Sequence, residues 1–179
     1  MKNQLIELLK KYSVKYSDTE EFTLASGKKS RFYVNCKPAV LRPEGLYLTG
    51  NLVLQEVADL EIDAIGGLTF GADPVSVAAS FASYSSKKPF KAFSIRKEKK
   101  DHGISRWIEG DLKKGEKVAI VDDVATTGGS TIKAIERAKS EGLNVVAAVI
   151  LVDREEGGVD NILQHVPLVK TILKKSDLI

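Results

Sequence analysis

The sequence predicts an α/β domain, with a mostly parallel twisted sheet flanked by helices. Two observations carry this expectation. Apolar runs of strand length alternate with segments of helical periodicity, the order that generates parallel βαβ units. The apolar runs are also near-continuous, as in strands covered on both faces. The size agrees: 179 residues suit one domain, and 43% of them are apolar, enough for a substantial core.

Taken in order, residues 3–11 put Leu5, Ile6, Leu8 and Leu9 on one side of a short helix. "EEFTL" and "SRFYVNC" are short strands around a turn at 26–29. Residues 43–59 form a helix, entered by Pro43 and lined by Leu46, Leu48, Leu52, Leu54 and Val57. "DAIGG" is a strand, and "GADPVSVAASFAS" is a helix opened by Asp73 and Pro74. "FKAFSI" is a strand, followed by a polar segment at 96–116. "KVAIVDD" is a buried strand. Residues 129–141 form a helix with Thr131, Ala134, Ile135 and Ala138 on one face, closed by Gly142. "NVVAAVILVD" is the most apolar strand. A loop and a strand near "LVKTIL" complete the chain. There is no internal repeat or low-complexity tract.

Bulk properties exclude some classes of function. The net charge of +3 and pI near 8.8 are too mild to argue for a nucleic-acid footprint. Cys36 is the single cysteine, so neither an internal disulfide nor a Cys-based zinc site can form. The amphipathic N-terminus lacks a signal-peptide core, and no window approaches the ~20 apolar residues of a membrane span. The expectation is a soluble cytoplasmic protein that binds neither nucleic acid nor membrane.

Open parallel sheets bind ligands beyond the carboxyl ends of their strands, which directs attention to three loops. "GGLTFGADP" (66–74) is Gly-rich and starts a helix, but lacks the Lys-Ser/Thr of a Walker loop. "VAIVDDVATTGGST" (118–131) joins two carboxylates, Asp122 and Asp123, to a turn rich in glycine and hydroxyls. Amides at the helix start, with the hydroxyls of Thr126, Thr127, Ser130 and Thr131, make a cup for a phosphate dianion. The carboxylates suit vicinal hydroxyls or Mg²⁺. A ribose 5-phosphate has both ends. "REEGGVD" (154–160) offers Arg154, either gripping an anion or paired with Glu155 or Glu156. The segment "RKEKKDHGISRWIEG" (96–110) is basic and unpatterned. Such stretches serve as binding loops, or as solvated hairpins with balanced charge.

"VAIVDDVATTGGST" resembles the phosphoribosyl-diphosphate (PRPP) motif of type I phosphoribosyltransferases. "RKEKKDHG" is similar to the catalytic loop of the orotate-specific members. "FTLASGKKSRFYVN" and "VDREEGG" resemble those members' N-terminal segment and base-binding strand end. The resemblance runs over nearly the whole chain. It implies the type I phosphoribosyltransferase fold in a single domain at 1–179. A small N-terminal hood covers about 1–40, the core about 41–179, and a flexible catalytic loop about 96–110.

The resemblance further implies transfer of ribose 5-phosphate from PRPP to orotate, with Mg²⁺, giving orotidine 5′-phosphate and pyrophosphate. PRPP would meet Arg96, Lys97, Lys100 and His102, together with Asp122, Asp123, Val124, Ala125, Thr126, Thr127, Gly128, Gly129 and Ser130. Lys100, Arg96, His102 and Asp123 would be catalytic. Lys97 would serve its own subunit and Arg96, Lys100 and His102 the neighbour's, which makes a homodimer. Thr126, Arg154 and Tyr33 would bind orotate. Mg²⁺ would ride on PRPP, with Asp122 and Asp123 as candidate ligands. Orotidine 5′-phosphate decarboxylase would be a separate contact partner. Some relatives carry Lys where this chain has Ala25 and Gly71, and Lys28 or Lys29 are candidate substitutes. A transferase for another base, or a PRPP-sensing regulator, remain the competing expectations.

Overall fold

The structure, a computed structural model, describes residues 1–19, 22–23, 29–98 and 107–179. Its centre is a sheet of six strands: β5 (Ala64–Leu68), β6 (Lys91–Ile95), β7 (Ile108–Glu109), β8 (Lys117–Ala125), β9 (Asn144–Asp153) and β10 (Val169–Lys174). Their spatial order is β10-β9-β8-β5-β6-β7. Every pairing is parallel except β6 with β7. The remaining strands pair in two small antiparallel sheets. β1 (Val14–Tyr16) lies on β4 (Phe32–Val34), and β2 (Phe22–Thr23) on β3 (Lys29–Ser30).

The period-2 alternation of side chains divides the core into two apolar layers. Ile65, Ala119, Val121, Val149 and Leu151 face one layer, with helices α1 (Lys2–Tyr12), α2 (Lys37–Val40), α3 (Pro43–Val57) and α4 (Ala72–Ser83). Ala64, Val118, Ile120, Ala148 and Ile150 face the other, with α5 (Gly129–Ser140) and α6 (Gly158–Leu163). Both faces being covered explains why β8 and β9 are apolar without alternation.

After β5 the chain crosses to β6 on one side; after β8 it crosses to β9 on the other. The topological switch therefore lies between β5 and β8, where the rule for open α/β sheets puts a ligand. Backbones approach closely there. A Cβ on Gly67 would stand 2.1 Å from the Val121 carbonyl oxygen and 2.6 Å from Ala72 Cβ.

The long elements match the sequence expectations within two residues at each end. Several short ones were not foreseen, among them β1, β3, β7, α2 and α6. "VKY", "KPAV" and "GVDNIL" are too short to show a period, and helices of four and six residues depend on tertiary contacts rather than their own nucleation. In the polar segment, β7 makes an antiparallel hairpin with β6. The expected turn at 26–29 falls, up to residue 28, outside the described residues. No helix among the described residues is long and apolar enough to cross a membrane.

Gly67→Ala should destabilise the fold by about 1–3 kcal/mol, the usual cost of overpacking. The check is the urea midpoint at unchanged m-value; an unaltered midpoint would mean that β5 and β8 can separate freely.

Candidate active site

Near its carboxyl end β8 carries Asp122 and Asp123, and alternation sends these neighbours to opposite faces. Asp122 follows Val118 and Ile120 toward α5. Its Oδ2 accepts from Thr131 Oγ1 at 2.8 Å and its Oδ1 from the Asp123 amide at 3.0 Å. Burial pushes its carboxyl up to about 7, helped by the nearby Asp123 charge and opposed by the hydrogen bonds from Thr131 and the Asp123 amide. Asp123 follows Ala119 and Val121 to the other face. Lys37 Nζ donates to its Oδ2 at 3.0 Å. Gly71 packs beneath it, where a Cβ would lie 2.4 Å from Oδ1.

Beyond the carboxylates the chain turns into α5. Gly128 has φ +81°, the left-handed region that suits glycine. Its missing Cβ also makes room for α6, since that atom would meet the Gly158 carbonyl oxygen and Ile162 Cγ1 at 2.8 Å. No side chain caps α5, and no acidic residue stands in its first turn. Its leading amides thus open toward the cleft with the positive end of the helix dipole. Asn161 of α6 braces the turn, its Nδ2 donating to the Thr127 carbonyl at 3.0 Å.

Arg154 follows β9 and is 3% exposed. Its amide donates to the Ala125 carbonyl at 3.0 Å, tying the second loop to the third. Nε donates to Glu156 Oε1 at 2.9 Å, and Nη2 to Ser30 Oγ and the Phe32 carbonyl at 3.2 and 3.1 Å. Nη1 makes no bond among the described residues. The guanidinium is therefore fixed in advance, with one donor nitrogen left for a ligand.

These parts surround one cleft of about 690 Å³. Of the residues assigned to PRPP, Asp122, Asp123, Val124 and 126–130 line it; Tyr33, Thr126 and Arg154, assigned to orotate, line it too. Ala125 does not, being packed in the core. Thr131 corrects the expected cup: it sits on the buried face of α5, and its hydroxyl serves Asp122 instead of a phosphate. Arg154 lies in the cleft and pairs with Glu156, the second of the two expectations made for it.

Arg96 and Lys97 stand just beyond β6 and do not line this cleft. Arg96 pairs with Glu109 through Nε at 2.7 Å. Lys100, His102, Ala25 and Lys28 lie outside the described residues. Lys29 is exposed on β3 and is not itself in the cleft lining, though its strand partner Thr23 is.

Sequence reasoning missed Asn35 and Lys37, which line the cleft from the start of α2. The signal was a lone lysine just after an apolar strand, in a helix too short to recognise.

A divalent ion would find little here unaided. Among the described residues, no group of three or more His, Cys, Asp or Glu side chains gathers to hold a metal. Both oxygens of Asp122 already accept hydrogen bonds. Asp123 fits as a single protein ligand for Mg²⁺, with substrate oxygens and water completing the shell.

Comparison with known proteins agrees with this geometry. The phosphoribosyl transferase domain family matches residues 66–169. An orotate phosphoribosyltransferase of Aquifex aeolicus is 44% identical over 99% of this chain and 97% of its own length. The crystal structure of the Mycobacterium tuberculosis orotate phosphoribosyltransferase in complex with PRPP superposes with a TM-score of 0.80. It is 31% identical, over 99% of this chain and 98% of that one. A Leishmania donovani UMP synthase structure superposes at 0.82 and 30% identity, over 98% of this chain and 36% of the longer enzyme. The chain belongs to the phosphoribosyltransferase family and, within it, to the orotate phosphoribosyltransferases.

Proposed function

We propose that the cleft holds PRPP and orotate side by side and joins them, giving orotidine 5′-phosphate and pyrophosphate in pyrimidine biosynthesis. The observation that supports this most directly is the uncapped start of α5 opening into the same cleft as Asp123 and Arg154. The 5-phosphate docks on the amides of 128–130 with the hydroxyls of Thr126, Thr127 and Ser130. Asp123 accepts hydrogen bonds from the ribose hydroxyls, held in place by Lys37. Orotate lies on Tyr33, its carboxylate on Arg154 Nη1 and its ring edge on Thr126.

A ring nitrogen of orotate gives up its proton to the departing diphosphate or to solvent and forms the new bond to the anomeric carbon as the bond to the diphosphate oxygen breaks. Positive charge develops on the ribose and negative charge on the departing diphosphate. The protein's task is electrostatic. Arg96, Lys97, Lys100 and His102 neutralise the diphosphate, and Asp123 lies near the growing positive charge. Mg²⁺, when bound through PRPP and Asp123, supplies further neutralisation of the leaving group. Water must be kept out, because it competes with orotate for the same carbon.

Arg96, Lys100 and His102 reach the neighbouring subunit's cleft, so the working unit is a homodimer. Orotidine 5′-phosphate decarboxylase, which acts on the product, is a candidate contact. The single cysteine is buried and unpaired, in keeping with a reducing cytoplasm.

Purified protein should release pyrophosphate from PRPP only when orotate is present, and lose that activity in EDTA until Mg²⁺ is returned. Turnover with hypoxanthine or uracil and none with orotate would assign a different acceptor. Arg154→Ala should raise the orotate KM by roughly 10–100-fold, the worth of a charge-assisted hydrogen bond, while the PRPP KM moves much less. An unchanged orotate KM removes Arg154 from that role. Mixing a Lys100→Ala chain with an Asp122→Asn, Asp123→Asn chain should restore activity, since each heterodimer regains one intact site. No recovery despite demonstrated subunit exchange would put Lys100 in its own subunit's site.

A further inference from the structure

Arg137 lies in the last turn of α5 and is 9% exposed. Its Nη1 donates to the Arg96 carbonyl, and its Nη2 to the Lys97 carbonyl at 2.9 Å. Its guanidinium also stacks on Trp107, 3.8 Å from the ring centroid. One turn further on, Glu141 Oε1 accepts from the Trp107 amide at 3.5 Å. The Arg96 amide donates to the Trp107 carbonyl at 2.8 Å. Both feet of the basic segment, 96–97 and 107, are thus fastened to one place on α5.

Stability alone does not explain an arginine here. Its neighbours on the buried face, Ala134, Ile135 and Ala138, are apolar. Burying a charge is costly, and among the described residues no carboxylate pairs with Arg137. What its donors hold are the backbones of two cationic residues, Arg96 and Lys97. At the other end of the same helix is the phosphate cup. Gly129 precedes Arg137 by eight residues, about 12 Å of rigid helix.

The geometry points to Arg137 as a positioning residue that sets Arg96 and Lys97 at a fixed distance from the phosphate cup. α5 then acts as a ruler between the two anionic ends of PRPP. Arg137 holds the backbone from which Lys97 would reach its own subunit's diphosphate and Arg96 the neighbour's. This rests on the reading above that Arg96 and Lys97 meet the diphosphate.

Ribose 5-phosphate fills the cup without a diphosphate, so its inhibition constant against PRPP reads the cup alone. Arg137→Met keeps the apolar stem and removes the fork. It should raise the PRPP KM about tenfold or more and leave the ribose 5-phosphate Ki and the orotate KM within about twofold. Trp107 is the single tryptophan, and its emission should move to longer wavelength in this variant as the stacked cation is lost. Trp107→Leu removes the ring without touching α5. It should shift the PRPP KM in the same direction by a smaller factor, and carries the test alone if Arg137→Met does not fold.

An unchanged PRPP KM overturns the inference. So does a ribose 5-phosphate Ki that rises by the same factor, because Arg137 would then merely support α5. Arg96→Ala and Lys97→Ala separate the two levels. If both raise the PRPP KM and Arg137→Met does not, only the positioning role is lost. If neither raises it, the diphosphate reading fails and the positioning role falls with it.

Discussion

A strand turns successive side chains to opposite faces, and β8 carries two adjacent carboxylates near its carboxyl end. That geometry forbids Asp122 and Asp123 from doing the same work. Asp122 turns toward α5, where it is buried, bonded to Thr131 and driven toward the protonated form. Asp123 turns toward α2, where Lys37 holds it. One acid fastens α5 to the sheet; the other is held at the wall of the cleft. The rest of the site is arranged around this division. Gly71 must be small because Asp123 lies against it, and Gly128 must be left-handed because α5 has to start immediately beyond.

Two of the cations assigned to substrate are held in different ways. Arg154 is buried and fixed by Glu156, Ser30 and the Phe32 carbonyl, so little rotamer freedom remains to be lost when an anion arrives. Arg96 is paired with an exposed glutamate on β7, an arrangement that solvent screens and a substrate can replace. A fixed guanidinium suits selection of an acceptor that is always anionic. An exchangeable one suits charge that is neutralised only while a diphosphate is present.

Much of this was legible in the residues. The order of apolar runs and helical periods specified the sheet and its helices, because both signals are local and extend over many residues. "VAIVDDVATTGGST" marked one wall of the cleft for a similar reason: the strand, the turn and the helix start are contiguous. Lys37, Asn35 and the clamp at Arg137 were not legible. They depend on which segments the crossovers bring together, and no local pattern encodes that. Thr131 shows the limit most clearly. Its hydroxyl looked like one more phosphate contact, but its place on the buried face of α5 commits it to Asp122.

The cleft also has a temporal consequence. Lys37 meets Asp123 across 86 residues of chain, and Arg154 meets Phe32 across 122. Such long separations make parallel α/β domains slow to assemble. As the chain emerges from the ribosome, residues 30–37 can pair early with β1 and β2, but Lys37 and the Phe32 carbonyl meet their cleft partners only when β8 and then β9 follow. The turn at Gly128 cannot seat against α6 until residue 162 is out. A nascent chain therefore spends most of its synthesis without a site, and substrate can stabilise the fold only in the last stage of its formation.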